Sequence, residues 1–392
     1  MNGAGQVSIV AILVEFTAAC GTSLLVPYLL YYRYIKGHLR ETQLEASDPR
    51  RNTRVSLVIC TLNEAESIEK KFEGVLSQSY PLERVEVLVV DGGSTDGTVE
   101  TLRRIEEKVR SKLNVRVLEN RAFRGKAAQL NRGFHAATGD IVITTDADVI
   151  MQENAIELLV DSLSMNGIGA VCGRQVLMNP DQSAATETEK AYRGFYEILR
   201  IGESNLHSTP IFHGGLSGYH RQAVSPISED VNADDAQLAL SVIRSGFRAI
   251  YERRCVFYAK APSDLPSALL QRIRRGQGLQ RVLWRNRDMV LGQGFGQFGF
   301  PILVAELYMH LVSPFLFVAT ITSFVALLAV LLLPFLALAM AVCVGLVILF
   351  YSGRRWFPIV FISSFMLYQA ALFWAAILHF LGHNYGRWST RA

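Results

Sequence analysis

The sequence has few charged residues for its length and little net charge. Only 19% of its 392 residues are charged, while 50% are hydrophobic, compared with about 25% charged in a typical soluble domain. The net charge of +4 is too small to create a general field for nucleic acid. This composition excludes disorder and repeat-rich fibres, and it favours a protein with membrane segments.

Cysteine motifs are also absent. The five cysteines are scattered, with no CxxC pair and no histidine partner at metal-binding spacing: Cys20, Cys60, Cys172, Cys255 and Cys343. A disulfide scaffold and a structural zinc site are therefore excluded. We expect reduced, buried thiols.

The apolar excess lies at the two ends of the chain. From Val7 to Tyr32 the only charged residue is Glu15, and Arg33 and Lys36 follow. Such a segment is long enough to cross a bilayer core, which needs about 20 residues. Because the basic residues follow the apolar run and no small-residue cleavage site is present, a retained anchor over residues 1–40 is favoured over a signal peptide.

The C-terminal region, residues 299–386, predicts about three further spans. Leu307–Gly353 contains no Asp, Glu, Lys or Arg, and as one helix it would be about twice the bilayer thickness, so we expect two spans. Arg354 and Arg355 precede a last span, Trp356–Gly386. The positive-inside rule then places the middle of the chain in the cytoplasm, in a multi-pass protein of the cell membrane.

The middle region, residues 51–262, alternates short apolar runs with helical patterns, which is typical of an α/β domain with a mostly parallel sheet. The predicted strands are Val55–Cys60, Val85–Val90, Val115–Leu118 and Ile141–Thr145, and the predicted helices are Glu64–Gln78, Thr98–Arg110 and Lys126–Ala137.

Polar motifs follow three of these strands, where open α/β sheets bind ligands. They are Thr61–Glu64, Asp91–Thr98 and Asp146–Asp148. The glycine-rich second motif matches neither a phosphate loop nor a calcium loop, and a turn with Ser94 or Asp96 at the start of the next helix explains part of it. In extended backbone Asp146 and Asp148 face the same way, so both could bind one divalent cation.

Together with Arg124–Ala127 and Ala233–Asp235, these motifs resemble the family 2 glycosyltransferases in content, order and spacing. The resemblance covers roughly Val55–Arg287. It implies a GT-A fold, a nucleotide-diphosphate sugar as donor, with a UDP-sugar expected first, and an inverting displacement at the anomeric carbon.

The resemblance also implies roles for individual residues. Nucleotide-sugar contacts fall on Thr61, Asn63, Glu64, Asp91, Lys126 and Asp146, with Arg124 as an additional phosphate contact. Asp148 corresponds to the main ligand of a Mn²⁺ or Mg²⁺ ion, and Asp146 to a second ligand. The general base falls on Asp235, next to Asp234, although both residues also fit the N-terminus of a helix.

The next segment, residues 263–298, predicts amphipathic helices at the membrane surface, because six arginines alternate with apolar residues between Leu269 and Arg287. Gln271 and Arg274 match the QxxRW motif of processive members, but Arg275 replaces the tryptophan, which weakens the case for a long-polymer synthase. Arg274 and Arg275 are predicted to contact phosphate, and the other arginines to anchor the helix at the surface. Gly276 and Gly278 are predicted to bend or end the first helical piece.

Two further sites are predicted near the acceptor. His213 and Gly214 begin a small-residue strand that resembles the border of the family's acceptor pocket, where His213 is either a ligand or a structural hydrogen-bonding residue. Glu306 and His310 are either interfacial or, if buried, line a substrate path.

The sequence therefore predicts a membrane-embedded inverting glycosyltransferase of polysaccharide biosynthesis, similar in layout to chitin-oligosaccharide synthases. The acceptor would be a saccharide or a lipid-linked saccharide at the cytoplasmic face, with lipid contact and with oligomerisation left open. The alternatives are transfer to a polyprenyl phosphate and a non-catalytic nucleotide-binding scaffold.

Overall fold

The computed structural model describes residues 3–39, 53–119, 125–230, 232–332 and 357–383. Its strands are β1 (Val55–Thr61), β2 (Val85–Asp91), β3 (Asn114–Glu119), β4 (Ile141–Asp146), β5 (Ile150–Met151), β6 (Ile168–Leu177), β7 (Leu216–His220) and β8 (Arg248–Ala259).

The α-helices are α1 (Gly3–Lys36), α2 (Ala65–Leu76), α3 (Thr98–Val109), α4 (Lys126–Ala136), α5 (Ala155–Leu163), α6 (Ala184–Leu206), α7 (Asp234–Arg244), α8 (Leu265–Arg285), α9 (Val304–Leu307), α10 (Ser313–Leu332) and α11 (Phe357–Phe380). Two π-helical turns, Phe298–Leu303 and Tyr308–Val312, join α9 to its neighbours.

The strands form one eight-stranded sheet in the order β3-β2-β1-β4-β7-β6-β8-β5. The first four are parallel, and every residue of β1 and β2 is buried, as expected for strands covered by helices on both faces. β7 runs antiparallel to β4 and pairs Leu216 with Thr145. The start of β7 therefore lies beside the end of β4, where the Asp146–Asp148 motif begins.

The four predicted strands and three predicted helices are confirmed, and their ends agree to within two residues. The fold class is confirmed as well, since a mainly parallel sheet flanked by helices is accompanied by long apolar helices. Cys20, Cys60, Cys172 and Cys255 are free thiols, and all but Cys20 are buried; Cys343 lies outside the described residues.

Three described segments are long and apolar enough to cross a membrane: Ser8–Lys36, Phe298–Leu331 and Pro358–Phe380. They correspond to the predicted first, second and last spans. The predicted third span, the Arg354–Arg355 loop and Trp356 lie outside the described residues.

The apolar helices also pack against the α/β domain. Tyr31 and Ile35, near the end of α1, belong to the same hydrophobic core as Leu199 of α6 and Leu372 of α11. The other face of the sheet carries a separate core that includes residues of α2, α3 and α5. The helical layer on one face therefore joins the domain to the apolar helices.

Helix α8 is continuous across Gly276 and Gly278, so a helix end at these glycines is wrong. The glycines instead allow close packing on both sides. A Cβ atom at Gly276 would lie 2.9 Å from Leu372 Cδ2, and one at Gly278 would lie 3.0 Å from the backbone nitrogen of Ala233. Helix α8 thus lies between α11 and the segment that leads into α7.

Candidate active site

A cavity of about 620 Å³ opens beyond the ends of β1 and β4 and is closed by β7, α6, α7 and α8. Most of the residues predicted from the sequence line it. They are Asn63, Glu64, Lys126, Asp146, Asp148, His213, Gly214, Asp234, Asp235, Gln271, Arg274 and Arg275. Thr61 and Asp91 do not line it, and Arg124 lies outside the described residues.

Thr61 and Asp91 are buried behind the cavity wall, where they are 0% and 1% exposed. One carboxylate oxygen of Asp91 accepts hydrogen bonds from the backbone nitrogens of Gly93 and Ser94 at 2.8 and 2.9 Å. The other accepts a 3.3 Å bond from the Thr61 hydroxyl. Asp91 therefore holds the glycine-rich loop in place, and its predicted contact with a nucleoside stays a prediction.

The glycine-rich loop is also hydrogen-bonded to the Thr61–Glu64 motif and to the start of α2. Asn63 has a left-handed backbone, φ 57°, and its side-chain oxygen accepts a 2.9 Å bond from the Thr95 nitrogen. The carboxylate of Asp96 accepts bonds from the nitrogens of Ala65 and Thr98, each at 3.1 Å. Asp96 thus satisfies free N–H groups at the starts of both α2 and α3, as predicted for α3.

Lys126 connects two of the predicted motifs. Its ammonium lies 2.7 Å from Asp146 Oδ1 and 3.3 Å from Asp234 Oδ2, and the three side chains are 19%, 33% and 14% exposed. Burial lowers the pKa of Lys126, but the charges of Asp146 and Asp234 outweigh it and raise that pKa well above its ordinary value. Lys126 is therefore a permanent cation between the Asp146–Asp148 motif and the Asp234–Asp235 pair.

Asp146 and Asp148 both line the cavity, while Ala147 between them is buried. In the described part of the chain there is no cluster of three or more His, Cys, Asp or Glu side chains that could hold a metal ion. Two carboxylates that line the same cavity do fit Mg²⁺ or Mn²⁺, because such ions bind one or two carboxylates and take their other ligands from substrate phosphates and water. A cation there would compete with Lys126 for Asp146.

Asp235 is in the first turn of α7, and its Oδ1 accepts a 2.8 Å bond from the Ala236 nitrogen. Burial and then the neighbouring charge of Asp234 raise the pKa of Asp235 to about 6, against the opposing effect of Lys126. A carboxylate with a pKa near neutral pH is a stronger base than an ordinary aspartate, yet it stays ionised at pH 7.

The turn that leads into β7 has little room for side chains. A Cβ atom at Gly214 would lie 3.3 Å from Lys126 Nζ and 3.5 Å from Asp235 Oδ2, and one at Gly215 would lie 2.5 Å from the Phe257 ring. The backbone of Gly214 and Gly215 therefore forms the cavity wall beside Asp235. The pKa of His213 lies well below its ordinary value because of burial and the positive charges of Arg200, Arg193 and Arg275, so this imidazole is neutral.

Lys71 was not predicted from the sequence. Its buried ammonium donates to Thr145 Oγ1 at 2.7 Å and to the Val149 carbonyl at 2.9 Å. Burial lowers the pKa of Lys71 to about 7, although Asp146 and Asp148 act in the opposite direction. The sequence did contain a signal for this buried lysine, because Lys71 lies on the apolar side of α2 with Ile68 and Phe72.

A group of arginines at the other end of the cavity was also largely missed. Glu189 of α6 pairs with Arg193 at 2.8 Å, with Arg272 at 3.2 Å and with Arg275 at 3.6 Å. Arg272 is only 6% exposed, so its predicted role as a surface anchor is wrong. It links α8 to α6 because its guanidinium is held by Glu189.

Glu306 and His310 are 1% and 0% exposed, with His310 Nδ1 3.1 Å from Glu306 Oε2. An interfacial position is therefore wrong for both residues. Neither lines this cavity, so their predicted place along a substrate path stays a prediction.

Comparison with known proteins yields matches to a family model and to a solved structure. A family model described as Glycosyl transferase family 2 matches residues 56–227. The solved structure of "Mannosyltransferase PcManGT from Pyrobaculum calidifontis in complex with GDP-Man and Mn2+" is 31% identical with a TM-score of 0.78, and the match covers 95% of this chain and 99% of that one.

Curated sequences are more distant. The poly-beta-1,6-N-acetyl-D-glucosamine synthase of Staphylococcus aureus (strain COL) is 25% identical over 236 residues, which are 59% of this chain and 56% of the relative. The enzyme of the same name from Staphylococcus epidermidis is 22% identical over 262 residues, 66% of this chain and 62% of the relative. The chain thus spans somewhat more than half the length of these relatives.

Proposed function

Because this chain belongs to glycosyl transferase family 2, we propose that it transfers a hexosyl unit from a nucleoside-diphosphate sugar to a hydroxyl group of a saccharide or lipid-linked saccharide. The observation that carries the proposal is the pair of contacts made by Lys126, which join Asp146, beside Asp148, to Asp234, beside Asp235. A site for a donor diphosphate and a site for a base are thereby held in one cavity.

In the proposed reaction Asp235 removes the proton of the acceptor hydroxyl as that oxygen attacks the anomeric carbon from the side opposite the leaving diphosphate. Inversion follows from this single displacement. The glycine backbone of Gly214 leaves room beside the Asp235 carboxylate for the acceptor. A Mn²⁺ or Mg²⁺ ion held by Asp148 and Asp146 would supply charge stabilisation for the leaving diphosphate.

GDP-mannose is the donor to test first, because the mannosyltransferase that matches nearly the full chain was solved with that nucleotide sugar. A UDP-sugar, expected from the sequence, is the second donor. For the UDP-sugar, N-acetylglucosamine is a suitable sugar to test, because it appears in the names of the two staphylococcal relatives.

We place the reaction at the cytoplasmic face of the membrane in a multi-pass protein. Three described segments long enough to span a bilayer support this placement, as do Arg33 and Lys36 at the end of α1, since basic residues are favoured on the cytoplasmic side.

The test is the Asp235→Asn variant of the full chain in lipid nanodiscs, assayed with radiolabelled donor. Loss of a general base costs about 10²- to 10⁴-fold in rate, so we expect transfer to fall by that factor while donor binding is retained. Asp181→Asn is a matched control, because Asp181 is exposed and pairs with Lys190 on the surface.

Two results would contradict the proposal in different ways. Undiminished transfer by Asp235→Asn would show that the acceptor needs no base, as for an already anionic polyprenyl phosphate. Binding of a nucleotide sugar by the wild-type protein in the presence of Mn²⁺, with neither transfer nor donor hydrolysis, would support the non-catalytic nucleotide-binding scaffold instead.

A further inference from the structure

The end of the cavity formed by α6, α8 and α11 is rich in guanidinium groups. Arg193 and Arg200 of α6 and Arg272 and Arg275 of α8 line it, together with Tyr368 of α11. We refer to these four arginines as the arginine cluster. None of the predicted donor contacts on β1 and β4 belongs to it.

The negative charge beside the cluster does not balance the positive charge of its four arginines. Three of its arginines share one carboxylate, Glu189. Burial favours the neutral form of Glu189, yet the charges of Arg193, Arg275 and Arg272 lower its pKa to about 2. This carboxylate is therefore always ionised and already occupied.

Arg200 has no such partner. It is 4% exposed, its Nε donates to the Ile211 carbonyl at 2.7 Å, and its guanidinium lies over the Tyr196 ring, 5.8 Å from the centroid. Within the described residues Arg200 forms no ion pair, and its NH1 group has no hydrogen-bond partner. A buried cation with a free donor is costly unless an anion is bound beside it.

The cluster lies on the side of the apolar helices. Three residues after Arg200 on α6, Glu203 accepts a 2.6 Å bond from the hydroxyl of Tyr31 in α1. Ser364 of α11 donates a 2.7 Å bond to the carbonyl of Thr188, also on α6. A ligand of the cluster therefore lies where the domain meets α1 and α11.

We infer that the arginine cluster binds a phosphoryl group carried by the acceptor, with Arg200 as its main ligand and Arg275, the most exposed member, at the entrance. Arginine suits this role because its planar donors match phosphate oxygens. The inference rests on the proposed function, and it adds that the acceptor is a phosphate ester. Tyr368 lines the same end of the cavity and belongs to α11, a helix that is long and apolar enough to cross a membrane. A lipid-linked phosphate is therefore favoured over a water-soluble one.

The experiment measures binding and turnover separately, on the full chain in nanodiscs. Three acceptors carrying the same hexose are compared: a neutral methyl glycoside, the soluble hexose 1-phosphate and a citronellyl phosphate hexose. We expect wild-type protein to bind both phosphates at least about tenfold more tightly than the glycoside, since hydrogen bonds to a charged group contribute that much. The citronellyl ester should bind more tightly than the soluble one.

Arg200→Gln should weaken binding of both phosphates about tenfold to a hundredfold and leave the methyl glycoside and the KM of the donor unchanged. Arg200→Lys should recover part of the loss. Arg174→Gln is the control, because Arg174 pairs with Glu197 and does not line the cavity.

Equal binding of the three acceptors by wild-type protein would overturn the inference even if the Arg200 variants did not fold. Tighter binding of the soluble ester than of the citronellyl ester would keep the phosphate and reject the lipid. Transfer of the donor sugar tests the proposed function independently. Equal transfer to all three acceptors would leave that function intact and reject only the inference.

Discussion

At the scale of single residues, the site is organised by ion pairs between distant parts of the chain. Lys126 contacts Asp146 and Asp234, and Asp234 in turn raises the pKa of its neighbour Asp235. Each residue was predicted from its motif. The pairing was not, because it depends on how α4, β4 and α7 meet in space.

The rate should therefore depend on pH through Asp235. Its pKa is raised to about 6, so the carboxylate is protonated below that pH, and kcat/KM should fall about tenfold for each further pH unit. In the Asp234→Asn variant one repulsive charge is lost, and the acidic limb should move to lower pH. A pH–rate profile with saturating Mn²⁺ checks this, and an unmoved or upward-shifted limb would count against Asp235 as the base.

At the scale of helices and strands, the first half of the domain was predictable because its signals are local. The apolar runs of β1, β2 and β4 end at polar motifs, and glycines mark the turns between them. The reversed direction of β7 and the insertion of β6 beside β8 are not local, since they depend on pairings between distant segments.

The site follows the same division. Strand-end residues such as Asp148 could be found from sequence because the ends of parallel strands meet at one edge. The arginine cluster could not, because Arg193 and Arg200 look like ordinary polar positions on an amphipathic helix until α8 and α11 cover them. Resemblance to a family supplied the role of Asp235, for which the local pattern equally fits a helix N-terminus.

Contact between α1 and α6 gives a prediction at this scale. A Cβ atom at Gly202 of α6 would overlap Ile35 Cγ2 and lie 2.6 Å from the Ile35 carbonyl oxygen in α1. Gly202→Ala should therefore destabilise the protein by about 1–3 kcal/mol, as overpacking does. Thermal unfolding in detergent measures the effect.

Gly194→Ala is the matched control on the same helix, because no atom lies within 4 Å of the added Cβ position. It should leave stability unchanged or increase it by up to about 1 kcal/mol, since alanine favours a helix over glycine. Equal melting temperatures for the two variants would show that α1 is not packed closely on α6.

At the scale of the whole molecule, the domain and the apolar helices share polar contacts as well as a core. Glu203 is bonded by Tyr31 of α1 at 2.6 Å and by Thr209 at 2.7 Å, and burial raises its pKa to about 8. Gln280 of α8 donates to the carbonyls of His310 and Leu372, at 2.9 and 3.0 Å. Such contacts fix the cavity relative to α1 and α11.

The proposed orientation predicts the accessibility of the domain. Glu100→Cys places a thiol on the exposed surface of α3, in a background where Cys20 and Cys343 are replaced by serine and the remaining described cysteines are buried. A membrane-impermeant maleimide should label this thiol in inverted vesicles and not in intact cells. Labelling of intact cells would place the domain outside.

Helix α8 has no side chain at Gly278, so its backbone packs directly against Ala233, the residue before Asp234. Gly276 of the same helix packs against Leu372 of α11. We therefore expect a tilt of α11 to displace the segment that carries Asp234 and Asp235. For the proposed membrane enzyme we therefore expect the transfer rate to change with the thickness of the surrounding bilayer.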